Sequence, residues 1–524
     1  MSQRAGILLA TILGSAVVFL DGTIVNVALD PIGRDLPATL VGRLEGLTYV
    51  TTAYFTVLSA LLILAGALND HYGRRRMFTV GLVGFGVASV GCGLAPTMEL
   101  LIAARILQGI FGALLVPGSL SIITATFDGE ERGRAIGLWA AGTSATLIVG
   151  PLVGGLLVQA LSWRWAFLIN VPIIAVALWA TRSVPESRDE ESRGEFDWLG
   201  AATIALAVGG LAFGATRGQQ QNWTDSVAWA SLGVGAVATV AVPVLMLTRS
   251  RPLVPPDLFA SRNFTAVNLA TLLVYGALYV SMGVQNVFFQ GTLGYSPLAA
   301  GATLMPSAVL LTLLSTPAGR LSARIGPRLF LTVGPIVMAA SLLWLARIPA
   351  GSAAWRADPA APGSLLPPLD AVVDVLLPLV LFGVGISMLV APLTTALMAS
   401  VPIRNAGLGS AINNAVSRVG QPLVFALLFI AVTASFYGSL ESSAPELDVT
   451  DPAVRAEVQP LTALPDGLDQ DVAEAARAAS TDAFRLAMIV SAALLLGGAL
   501  VSGIGIRNPT REVLAATAAS EPGG

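Results

Sequence analysis

Lysine is absent from all 524 residues, so every one of the 29 basic side chains is arginine. That absence removes a phosphate-cradling Walker loop, a Schiff base and a lysine nucleophile, and with the first of these an ATP-driven motor within the chain. The single cysteine, Cys92, allows no internal disulfide. The single histidine, His71, allows neither a His-based triad nor a zinc helix, and no Cys/His cluster is present to hold a metal. Charge is scarce too. Only 12% of residues are charged, the net charge is -3, and the arginines fall singly or in short groups, which leaves no electrostatic footprint for nucleic acid. No cofactor is expected.

What the chain has instead is apolar length. Hydrophobic residues make up 55% of it, and mean hydropathy is +0.76, a membrane composition. Runs of about 20 apolar residues, each enough for roughly 30 Å of hydrocarbon, recur from 6–29 to 484–506 and number about fourteen. The N-terminal run is too long for a signal-peptide core and reads as a retained first helix. With the N-terminus inside, Arg74, Arg75, Arg76, Arg132, Arg134, Arg320, Arg324 and Arg328 all fall on inner connections, while the longest outer connection, 437–483, is acidic. Both termini are then cytoplasmic, in a bacterial inner membrane.

Two polar linkers, 184–197 and 249–263, divide the spans into six, two and six. The expected blocks are residues 1–184, a first six-helix bundle; 185–263, linkers and an inserted helix pair; and 264–524, a second six-helix bundle with a long outer loop at 437–483. An internal echo supports the division. "GALNDHYGRRR" at 66–76 follows the second span, and "GRLSARIGPR" at 319–328 follows the second span of the later set, with Ala323 where the first copy has Asp70. Repeated halves are a transporter architecture, with the ligand site expected near the midplane. The fold expected is an all-α membrane protein of about fourteen transmembrane helices, two six-helix bundles related by a pseudo-two-fold plus the inserted pair.

Charged and polar groups inside the spans point to function. Asp21 lies in "LDGTIVNVAL" about eight residues before the outer end of span one, and Arg105 about five residues after the start of span four, so at 1.5 Å per residue they share a depth and can pair. Burial and the guanidinium pull on the carboxyl in opposite directions. Arg105, Gln108, Gly109 and Gly112 form one helical stripe. Asn26 either extends the polar network or makes an interhelical hydrogen bond. Arg418 of span thirteen, close in sequence to Asn414, meets either Asp374 or an anionic substrate group. Tyr275, Tyr279, Met282 and Asn286 fall at helical spacing in span nine, and an aromatic and thioether stripe suits an apolar, adaptable ligand as well as a packed core. Phe19, Tyr54 and Phe111 are similar candidates.

The loop at 66–76, "RILQGIFGA" in span four, "GPLVGG" in span five and "GSAINNAVSRVG" in span thirteen together resemble the major facilitator superfamily, and within it the fourteen-span drug:proton antiporters. The resemblance covers essentially the whole chain. It implies a conformational lock in the loop carrying Gly66, Asp70, Gly73, Arg74 and Arg75, with Asp70 meeting an arginine and a helix end of the other half. It also implies that Gly150, Pro151, Gly154 and Gly155 are an antiporter motif sealing the inner interface.

These readings converge on a monomeric, non-enzymatic exporter that exchanges protons for amphipathic small molecules across the lipid bilayer, with Asp21 carrying the proton and Arg105 as its gate partner. An exporter dedicated to one endogenous metabolite, siderophore or lipid is the alternative within transport. A sensor on a transporter scaffold is the alternative outside it.

Overall fold

The computed structural model describes residues 2–37, 43–187, 196–221, 224–358, 361–462, 464–465 and 469–508, and no strand occurs among them. Lipid offers no partner for backbone N–H and C=O groups, so apolar runs of this length satisfy them internally as helix.

The first set comprises α1 Gln3–Asp35, α2 Arg43–Tyr72, α3 Arg74–Gly93, α4 Met98–Gly112, α5 Leu115–Thr126, α6 Gly129–Ala160, the short α7 Trp165–Leu168 and α8 Asn170–Ala180. Ser2 caps α1 by accepting from the Ala5 N–H, and Thr97 caps α4 in the same way through Leu100. Gly73, at φ 108°, takes the left-handed turn between α2 and α3 that a side chain would strain.

One expected span is interrupted. Residues 100–124 read as a single helix, and Met98–Thr126 does form one continuous span, but its α-helical hydrogen-bond ladder lapses at Ala113 and Leu114 while both keep helical dihedrals. Pro117 explains the break in the ladder, since it cannot donate to the Ala113 carbonyl and its ring crowds that turn.

The helices α9 Trp198–Gln220 and α10 Ser226–Thr248 form the inserted pair. They close on each other where Gly210 meets the backbone of Gly235, and α9 rests on α2 through Gly209 and Ala60. After the short α11 Asp257–Ala260 comes the second set: α12 Arg262–Gly291, α13 Pro297–Ile325, α14 Arg328–Leu345, the short α15 Leu369–Ala371 leading through a π-turn into α16 Leu377–Ala399, α17 Ala406–Ser443, the short α18 Pro452–Glu457, and α19 Gln470–Gly505. Twelve spans among the described residues are long and apolar enough to cross a membrane. The helices α6 and α17, which include side chains outside the description, occupy the fifth and thirteenth expected places.

The expected outer loop at 437–483 is shorter than it reads. Helix α17 runs on to Ser443 and α19 starts at Gln470, and the intervening segment buries Val449, Val458 and Leu461. The additional turns of α19 are alanine-rich, good helix former but too polar to register as a membrane run.

The two sets meet symmetrically. Gly66 of α2 lies against Gly407 and Ala411 of α17. Gly319 of α13, its counterpart in the sequence echo, lies against Gly133 and Gly137 of α6. In each case the second helix of one set presses on the fifth of the other, the relation a pseudo-two-fold requires. Both contacts sit at the end of the bundle that carries Arg4, Arg74, Arg132, Arg324 and Arg507, hereafter the arginine end. There Glu130 also pairs across the seam with Arg324 at 2.8 Å.

Candidate functional site

Asp21 and Arg105 face each other in the interior of the first set. Both side chains are wholly enclosed, and Arg105 donates from Nη1 to Asp21 Oδ2. Four helices supply the rest of the cluster. Gln108 Nε2 donates to Asp21 Oδ1 at 3.2 Å and to Ser89 Oγ of α3 at 2.8 Å. Asn170, the first residue of α8, donates to the same Asp21 oxygen at 3.0 Å. Arg105 also donates to Gln108 Oε1 at 2.8 Å and from Nε to the Val50 carbonyl of α2 at 2.8 Å. Its guanidinium lies 4.1 Å from the centre of the Tyr54 ring, a cation-π contact that strengthens when water is excluded.

The arrangement follows from local sequence. Arg105 and Gln108 are three apart on α4 and so share a face, from which both reach Asp21 of α1. Gly109 lets the α2 backbone approach, because a Cβ there would sit 2.8 Å from the Tyr54 carbonyl. The ion pair is charge-balanced, and both carboxylate oxygens are occupied. Two polar atoms remain without partners among the described residues, Arg105 Nη2 and Asn170 Oδ1. An enclosed carboxylate held this way changes the charge of the whole cluster on gaining one proton, which is what a coupling site must do.

Tyr54 and Gln108, expected among cavity-lining groups, belong instead to this enclosed cluster. The Tyr54 hydroxyl donates to the Val18 carbonyl at 3.1 Å. The side chain of Asn26 lies outside the described residues. Asn170 and Ser89 were missed, since a single small polar residue in an apolar span has no periodic signature.

Asp70 sits at the arginine end. Its Oδ1 accepts from Arg74 Nη2 at 3.1 Å, and its Oδ2 accepts the backbone N–H of Leu408 in the first turn of α17 at 2.9 Å. The arginine belongs to the same loop as Asp70, and the cross-seam reach is made by Arg74 to the Ile403 carbonyl. Helix α3 begins here, and Glu186 caps it by accepting from the N–H groups of Arg75 at 3.2 Å and Arg76 at 3.1 Å. Glu186 carries no sequence signal, lying in a charged linker 110 residues away. His71 packs its ring against Tyr72 and Phe196.

The glycines of α6 differ from expectation in what they seal. A Cβ on Gly150 or Gly154 would strike Thr23 or Ile24 of α1, so these glycines pack two helices of the same set, toward the end opposite the arginines. The inter-set contact of α6 comes about three and a half to nearly five turns earlier, from Gly133 and Gly137. Nothing lies within 4 Å of a Cβ built on Gly155, and the side chain of Pro151 lies outside the described residues.

In the second set Tyr275 and Tyr279 stack edge-tilted at 6.0 Å. Tyr275 and Met282 are half-buried and Asn286 is exposed, donated to by Gln290 at 2.8 Å. Asn414 is half-buried and donates to the Ser410 carbonyl. The Arg418 to Asp374 pairing does not form. Asp374 lies in the π-turn at the end of the bundle away from the arginines and accepts from Ser352 at 3.2 Å, whereas Arg418 stands partway along α17. At that same far end Asp35 accepts from Arg164 at 2.6 Å and Trp163 at 2.9 Å. These donors hold its carboxyl below the ordinary 3.8, the arginine contributing most.

Comparison with known proteins adds the following. The model of the Major Facilitator Superfamily matches residues 11–425. The multidrug resistance protein Stp of Mycobacterium tuberculosis is 32% identical over 451 residues, which cover 86% of this chain and 79% of that protein. The puromycin resistance protein pur8 of Streptomyces alboniger is 33% identical over 421 residues, 79% of this chain and 78% of that one. The crystal structure of the human organic anion transporter MFSD10 has the same fold, with a TM-score of 0.58 at 14% identity over 96% of this chain and 100% of that one.

Proposed function

The chain belongs to the Major Facilitator Superfamily, and from that membership we propose that it is a proton-coupled exporter of amphipathic small molecules working by alternating access. Relatives named for multidrug and puromycin resistance support export of such compounds. The observation that carries the coupling is the enclosed Asp21, with both oxygens satisfied and Arg105 as counter-ion.

The arginine end is the cytoplasmic one, on the bias of basic residues toward that side. Its seam is shut by Gly66 on Gly407, Gly319 on Gly133 and the Asp70 clasp, so the state described here is closed to the cytoplasm. Protonation of Asp21 removes the charge that Arg105 balances and frees the guanidinium. Substrate favours the deprotonated arrangement. Each ligand then biases one of two global states, which is all that coupling requires. One charge crossing about 100 mV supplies roughly 2.3 kcal/mol before any pH gradient is added. The protein acts as a monomer in a bacterial inner membrane, with substrate and protons as its only transported ligands.

Reconstitution into liposomes enclosing a pH-sensitive dye tests this reading. Imposing a substrate gradient on dye-loaded vesicles should drive protons in the opposite direction. Substrate movement without any proton movement would remove the coupling.

A further inference from the structure

Arg418 is a charge at the seam between the two sets that the proposed coupling scheme leaves unused. It stands on α17 seven residues beyond Ala411 and eleven beyond Gly407, which puts all three on one helical face. Gly407 and Ala411 are the residues that close on Gly66 of α2, so Arg418 continues the stripe that looks toward α2. At 1.5 Å per residue it lies about 16 Å above the Gly407 contact.

Helix α2 runs the other way. Counting back eleven and twelve residues from Gly66 brings Phe55 and Tyr54 to about the same height. Phe55 shares the face of Gly66 and keeps 38% of its surface exposed. Arg418 is itself only half-buried.

No described residue forms an ion pair or hydrogen bond with the Arg418 guanidinium. Asp374 is engaged elsewhere. Asp21, the acid that shares this height through Arg105 and Tyr54, has both oxygens taken and no exposed surface. A cation at membrane depth needs a counter-charge, and this one lies on the face of α17 that turns toward α2, level by helical rise with the exposed Phe55.

We infer that Arg418 and Phe55 form a substrate subsite selective for amphiphiles carrying an anionic group, a carboxylate, sulfonate or phosphate. The guanidinium fork takes the acid, and the ring takes the apolar body. The inference deepens the transport reading, on which it rests for the ligand's being cargo.

The test uses the whole protein in phosphatidylcholine nanodiscs and two probes, 11-(dansylamino)undecanoate and its methyl ester, which share a body and differ in charge. The acid should bind about tenfold or more tighter than the ester, the scale of one charge-assisted hydrogen bond. Arg418→Gln should erase that preference by lowering acid affinity to the level of the ester, with an unaltered melting temperature as the check that the variant is folded, and Arg418→Lys should keep part of it. An acid-to-ester ratio unaltered by Arg418→Gln would overturn the inference. Adding phosphatidylglycerol separates two sources of the anion: competition with the acid that depends on Arg418 identifies a lipid headgroup as an occupant, and undiminished acid binding assigns the site to free substrate. Proton-driven uptake of both probes into proteoliposomes of the same lipid keeps the two readings apart. If acid preference follows Arg418 while a gradient moves neither probe, the transport reading fails and the subsite stands. If a gradient moves both probes equally in parent and Arg418→Gln, the subsite fails and transport stands.

Discussion

Asp70 and Leu408 are 338 residues apart in the chain, and a carboxylate oxygen of the first accepts the backbone N–H of the second at 2.9 Å. The bond joins the end of α2 to the first turn of α17, where unsatisfied N–H groups and the helix dipole favour negative charge. It links the two sets at the arginine end.

Asp70→Asn keeps the shape of the side chain and removes its charge, leaving the buried Arg74 without a counter-ion. Breaking a buried pair in this way costs about 3–5 kcal/mol, and the cost falls on the closed state. Spin labels at the exposed Tyr72 and Ile403 should report longer distances in the variant than in the parent.

Gly407→Ala should open the same seam by a different route. Its Cβ would sit 2.7 Å from the Gly66 carbonyl oxygen and 2.9 Å from Asp70 Oδ2, with backbone on one side and a tethered carboxylate on the other, so the helices must part. Gly155→Ala meets nothing within 4 Å and should leave the label distances where they are without lowering the thermal midpoint, since alanine is the better helix former.

Asn170→Ala removes one of the donors to Asp21 without touching Arg105. Hydrogen bonds to a charged group contribute about 1.5–3 kcal/mol, so proton-driven transport should fall about ten- to a hundredfold. Substrate binding measured without a gradient should change little, a split that separates a positioning role from general damage to the fold.

Asp35 gives a pH dependence with a definite sign. Arg164, and then Trp163, hold its folded pKa below 3.8, so the stability this clasp adds is complete above the ordinary value and fades as pH falls through the lower folded one. The melting temperature of the parent should exceed that of Asp35→Asn by a constant, small margin from pH 7 to about 5. The margin should narrow as the pH drops below about 4.

The sequence makes some of this plain, for identifiable reasons. Apolar length announces the spans, and counting residues along α1 and α4 is enough to put Asp21 opposite Arg105, because the rise per residue of a helix is fixed. The echo between Gly66 and Gly319 anticipates two equivalent seams, though not which helices close on them. Pro117 sits inside an apolar run and is easily passed over, so the break between α4 and α5 is invisible to hydropathy alone. Asn170, Ser89 and Glu186 depend on tertiary packing that no spacing encodes. For Arg418 the sequence leaves two partners open, Asp374 or an anionic substrate group, and only the fold shows that Asp374 lies at another level of the bundle, accepting from Ser352.

Proton-gradient-driven accumulation in inverted vesicles, comparing the parent with Asp21→Asn, tests the central claim most directly. Gradient-independent substrate binding serves as the check that the variant is folded. The parent should concentrate substrate when a gradient is imposed, and the variant should bind it yet fail to concentrate it. Accumulation by Asp21→Asn at the parent's full rate and extent would contradict the assignment of Asp21 as the proton carrier.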